Sequence, residues 1–70
     1  MYRNLEAEMA RNGITRKDIS SFLNVRYATV VQKLSGKYRF KLDEAFTIKK
    51  KFFPELSLEY LFQTDDEKLN

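Results

Sequence analysis

The sequence predicts an all-α fold, a single domain of five short helices, on three observations. Apolar residues recur at i, i+3 and i+4, the spacing that lines one face of a helix. Stop signals such as Asn12-Gly13, Ser35-Gly36 and Pro54 cut the chain into short pieces. No segment shows the period of two that a half-buried strand would need.

The first helix is expected from about Arg3 to Asn12, with Tyr2, Leu5 and Met9 on one face and Asn12-Gly13 as its stop. The second carries the clearest start signal. Thr15 is a good N-cap, Asp18 stands where the reciprocal acid of a capping box belongs, and Ile14 and Ile19 occupy hydrophobic-staple positions. Ile19, Phe22 and Leu23 then form its apolar stripe, and Asn24 tolerates the left-handed backbone that ends it. Only a tight turn fits before the third helix, from about Tyr27 to Leu34, with Val30 and Leu34 inward and Ser35-Gly36 as the stop. Two short helices joined so closely form a helix-turn-helix.

A basic loop, Lys37-Tyr38-Arg39-Phe40-Lys41, leads to a fourth helix from about Leu42 to Phe52. Its acids, Asp43 and Glu44, open it, and Lys49, Lys50 and Lys51 close it, as the helix dipole favours. That dipole accounts for the lysine run without a ligand. Ala45, Phe46, Ile48 and Phe52 supply the apolar side. A short fifth helix starts at Ser57 as N-cap, with Leu58, Leu61 and Phe62 to bury. The expected domain covers residues 1–63, and residues 64–70 read as a frayed polar tail.

Composition narrows the function. The chain is 70 residues long with no cysteine and no histidine. Thiolate metal sites and disulfides are absent, as are the commonest general base and nitrogen ligand. Nor does a Gly-rich phosphate loop or a nucleophile–base pair occur, so an enzyme is the weakest reading. Folding is expected to need no metal or cofactor. A polar, charged N-terminus is unlike a signal peptide, and apolar runs fall far short of a membrane span. A soluble, cytoplasmic protein is the expectation.

Charge is unevenly placed. Between Arg16 and Lys41 stand seven basic residues and a single acid, Asp18, whereas the stretch from Leu42 onward is acidic on balance. A basic middle suggests one face built for a polyanion.

The segment ITRKDISSFLNVRYATVVQKLSGK, from Ile14 to Lys37, resembles the lambda-repressor-like, Cro-type DNA-binding domains of phages and bacteria. Ile19, Ser20, Leu23, Val25, Val30 and the Ser35-Gly36-Lys37 ending carry the resemblance, and the five-helix layout extends it over about Arg3 to Phe62. Three positions depart from the pattern. Asn24 stands where glycine is usual, Arg26 replaces a small hydroxyl cap, and Lys33 takes a commonly apolar place, leaving Leu34 to pack. The rotation of the third helix turns on that last exchange.

The resemblance implies a transcriptional regulator whose third helix lies in the major groove of double-stranded DNA while flanking segments hold phosphates. Carried over by position, Arg16 and the Ser35, Gly36 and Lys37 turn are expected at phosphates, and Tyr27, Ala28 and Gln32 at base edges. A helical wheel places Ala28 and Gln32 opposite Val30, where glutamine can pair with adenine and alanine can touch a thymine methyl. Tyr27 either reads a base or packs its ring and holds a phosphate with its hydroxyl. Val31 is expected at the core edge, with a thymine methyl as its alternative contact, and Arg26 and Thr29 are further base-contact candidates. Lys17, Lys33, Arg39 and Lys41 complete the expected phosphate set.

The rival reading is a helical protein-binding module, antirepressor-like, that keeps the fold without binding DNA. A positive surface over the third helix supports DNA, and a neutral apolar one supports protein. The aromatics are too many for so small a core, so apolar surface near Phe53, Tyr60 and Phe62 is expected to favour a homodimer through the C-terminal third.

Overall fold

Five helices follow one another in the computed structural model, which describes residues 2–64: α1 (Arg3–Arg11), α2 (Arg16–Leu23), α3 (Tyr27–Leu34), α4 (Leu42–Phe52) and α5 (Leu58–Leu61). No strand occurs among the described residues. The expected helix boundaries agree to within a residue or so. The remainder of the expected tail, residues 65–70, lies outside the described residues.

Local chemistry sets these boundaries. Thr15 Oγ1 accepts from the Asp18 backbone N–H at 3.1 Å, while the Asp18 carboxylate accepts from the Thr15 N–H at 2.9 Å. This reciprocal pair satisfies two donors that the first turn of α2 would leave open. Glu44 accepts from the Lys41 N–H at the start of α4, and Ser57 Oγ from the Tyr60 N–H at the start of α5.

The first three helices share one ending. Gly13, Asn24 and Gly36 all have positive φ, at 68°, 59° and 94°. Behind each runs a long return bond to the last turn: Ile14 N–H to the Met9 carbonyl, Val25 to Ser20 and Lys37 to Gln32, at 2.8–3.0 Å. These are Schellman endings, which turn the chain sharply and use up carbonyls the helix cannot satisfy itself. Between α2 and α3 this leaves only Asn24, Val25 and Arg26, with Val25 packed on the core.

The α2–α3 pair packs together, α2 also meets α4, and α5 bridges α1 and α4. Leu5, Ile19, Val30, Leu34, Ile48 and Leu61 are fully buried where these elements converge. The resulting radius of gyration is 11.2 Å, close to the ~11 Å of a compact chain of this length. Polar ties join α1 to α5. Tyr60 Oη donates to the buried Glu8 carboxylate at 2.8 Å, and Asn4 donates to the Tyr60 carbonyl at 2.8 Å. Within α1, Arg11 donates to the same Glu8 oxygen at 3.0 Å. The hydrogen bond to Glu8 holds the Tyr60 phenol above its ordinary pKa, because ionising it would set two negative charges together.

The aromatic distribution corrects the expectation from sequence. Phe53 is buried and Phe62 is half-buried, packed edge-on against Tyr2 and Phe40. Only Tyr60 of the expected C-terminal patch is exposed, and its hydroxyl is bonded. Apolar surface lies instead at Phe22 on α2, Tyr27 and Val31 on α3, and Leu42 and Phe46 on α4. Phe46 was expected inside with Ala45 and Ile48, but it points away from them and stands 45% exposed. Thr64, expected at the start of the frayed tail, is buried.

Candidate nucleic-acid interface

The surface around α3 is set by how that helix is held. Val30 and Leu34 anchor its inner side in the core, which turns Tyr27, Ala28, Val31 and Ser35 outward, with Gln32 half-buried and Thr29 at the shoulder. Tyr27 is 54% exposed, so its ring is not a core element. Its side chain shares a groove with Arg16 and Lys17 at the start of α2 and with Glu6 of α1. Val31 also faces outward, where the core edge was expected.

Lys33 does not join the expected phosphate set. Its ammonium pairs with the Glu44 carboxylate, both side chains nearly enclosed at 11% and 15% exposure. The same ammonium lies 5.8 Å from the Phe40 ring centroid, within the range of cation–π attraction. Burial by itself would raise the Glu44 pKa. Hydrogen bonds from Lys33 Nζ and the Lys41 N–H, with the positive charge of both lysines, lower it instead. Thus Lys33 fastens α3 to α4, and the only charged residue within α3 is withdrawn from its outer face.

Ser35 and Gly36 leave the phosphate set as well. Their backbone N–H groups donate to Val31 and Lys33 carbonyls, and the Lys37 N–H donates to Gln32. The Ser35 hydroxyl donates to the Gln32 carbonyl at 2.8 Å. Every donor of this turn serves the end of α3, and only the Lys37 ammonium projects from it. A helix C-terminus also carries partial negative charge, which disfavours a phosphate there.

Exposed cations border α3: Arg16 and Lys17 at the start of α2, which share a groove with Tyr27, Arg26 at the α3 cap, and Lys37 just past its end. Arg39 and Lys41 are exposed further along the loop, Arg39 beside Leu42, Leu58 and Phe62. The loop is pinned by Phe40, whose ring packs at 5.2 Å on Tyr2 and 5.5 Å on Phe62. Its backbone N–H donates to Tyr2 Oη at 3.1 Å. With Phe40 turned in, its neighbours Arg39 and Lys41 turn out. Arg16 is matched by Glu6 at 3.2 Å, an exposed pair of the kind worth only ~0–1 kcal/mol. Asp18 is held by its capping role.

No protein-family model, curated protein or solved structure matches the chain.

The chemistry of the surface therefore rests on its own residues. No helix among the described residues is long and apolar enough to cross a membrane. Sequence reasoning missed Glu6 and Glu44, the acids that α1 and α4 bring to Arg16 and Lys33 from ten and eleven residues away. No local pattern signals either pairing. It also missed Tyr38, 52% exposed beside Lys37 in the basic loop. The alternation Lys37-Tyr38-Arg39-Phe40-Lys41 hints that one aromatic is outward, but not which.

Proposed function

We propose that the chain binds double-stranded DNA as a Cro- or repressor-like transcriptional regulator, with α2 and α3 as its helix-turn-helix and α3 laid in the major groove. The observation that carries this reading is the pairing of a neutral, outward α3 face with exposed cations on its borders. A helix in the major groove meets base edges along its ridge and phosphates on both sides. Charge on the borders and hydrogen-bonding or methyl-contacting groups on the ridge suit that division. Arg16, Lys17, Lys37, Arg39 and Lys41 are the phosphate candidates, and Tyr27, Ala28, Val31 and Gln32 the base candidates, with Arg26 and Thr29 at the margin.

The test contrasts the two kinds of residue. Gln32→Ala is expected to cost about 1–3 kcal/mol on the preferred duplex and to flatten preference at one position. Lys37→Ala is expected to weaken all duplexes alike and to reduce the salt slope by about one. Melting curves establish that both variants are folded. Equal losses on every sequence from Gln32→Ala would remove the major-groove role of α3.

A second reading has one observation in its favour. The outward face of α3 is itself neutral and partly apolar, with Tyr27 and Val31 exposed, as a surface for a protein partner is. Failure of the folded protein to bind any duplex at low salt selects that reading.

A further inference from the structure

The Lys33–Glu44 pair has a consequence for what α3 can recognise. Guanine is most often read by arginine or lysine, which donate to its O6 and N7 acceptors. Lysine 33 is the only cation within α3, and it is enclosed against Glu44 and Phe40. What the helix offers outward is Ala28 and Val31, whose surface is methyl groups, and the Tyr27 side chain, with the Gln32 amide and the Thr29 hydroxyl and methyl half-buried at its edges. Methyl groups find an apolar partner in the major groove only at the C5-methyl of thymine, and a side-chain amide pairs bidentately with adenine N6 and N7.

Resting on the DNA reading above, we infer that the segment facing α3 is a short run of A·T pairs, read through thymine methyls by Ala28 and Val31 and through adenine by Gln32. The length of the run follows from the helix. Eight residues at 1.5 Å rise span ~12 Å, and with base pairs ~3.4 Å apart that covers about three or four pairs. Ala28 and Gln32 lie one turn apart, about 6 Å, so their targets are about two steps apart. Arg26 sits at the cap rather than on this ridge, so any guanine contact belongs at the end of the run. Glu44 thereby acts as a specificity-determining residue without touching DNA, by keeping a cation off the reading face.

Duplexes selected from random sequence by the full chain test the inference, followed by replacement of each selected thymine with deoxyuridine. That replacement removes only the C5-methyl and keeps the Watson–Crick pair. The expected result is an A·T core in which loss of each contacted methyl weakens binding about fourfold, the worth of one buried methyl group. The loss at one thymine should vanish in Val31→Ser, a change at an exposed position, with the folded state checked by circular dichroism. A G·C core, or indifference to deoxyuridine throughout, overturns the inference while leaving DNA binding intact. Absence of any duplex binding at low salt overturns the DNA reading and this inference with it.

Discussion

Asn24 shows how much one backbone angle decides. It adopts φ 59°, the left-handed region, at the stop of α2. Asparagine reaches that region more readily than other non-glycine residues. Replacing it with alanine is therefore expected to lower stability by about 1 kcal/mol, and replacing it with glycine to leave stability unchanged or slightly raised. Urea unfolding midpoints distinguish the two. Glu44 is decisive in a different way. Its carboxylate partners a nearly enclosed lysine, so Glu44→Leu leaves that cation buried and unpaired. Breaking such a pair by removing one partner costs about 3–5 kcal/mol when fully buried, and somewhat less here with 11% and 15% of the two side chains exposed. The paired variant Lys33→Met with Glu44→Leu is expected to recover most of the loss, which a double-mutant cycle in unfolding free energy measures.

At the level of elements, the α2–turn–α3 unit is locally coded to an unusual degree. The capping box at Thr15 and Asp18, the Asn24 stop and the Gly36 stop all rest on residues within a few positions of one another. Thr15→Ala is expected to cost about 1 kcal/mol, the usual worth of an N-cap, read from the thermal unfolding curve. The basic loop differs. Local bonds hold its two ends, the Lys37 N–H on the Gln32 carbonyl and the Lys41 N–H on Glu44. Between them the course is set by Phe40, whose ring packs on the Tyr2 and Phe62 rings from the two ends of the described chain. Phe40→Ala is expected to release Arg39 and Lys41 from fixed positions. In a binding assay it should weaken all duplexes while leaving the α3 sequence preference in place, because α3 is anchored separately by Val30 and Leu34.

For the whole molecule, the acid limb of stability follows from Glu44. Its folded pKa is lowered, so its contribution is fully present above the unfolded glutamate value of ~4.3. That contribution fades as pH falls through the lower folded value. Urea titrations across this window are expected to show Glu44→Gln, already less stable at neutral pH, losing less stability on acidification than the parent chain. The core leaves little reserve elsewhere. A chain this long is stabilised by roughly 4–10 kcal/mol in total, and Leu61, fully buried in the four-residue α5, is worth about 2–5 kcal/mol against alanine. Leu61→Ala is therefore expected to lose most of its cooperative thermal transition, although α5 lies apart from the α3 face.

The amino-acid sequence by itself determined the five helices and their ends, because caps, left-handed stops and apolar stripes act over three or four residues. It also determined that Val30 and Leu34 turn inward, but not the exact rotation of α3, which leaves Val31 outward and Gln32 half-buried. What only the tertiary structure decided is which of the outward groups remain available. Charge counted along the chain made Lys33 one of seven cations in a basic middle, but the folded chain brings Glu44 of α4 to it and Glu6 of α1 to Arg16. The aromatic surplus moved for the same reason. Phe53 and Phe62 found room in the core, while Phe22 and Phe46 did not. Ion pairing and burial depend on distance through space, and a local pattern carries no information about that distance until the helices have packed.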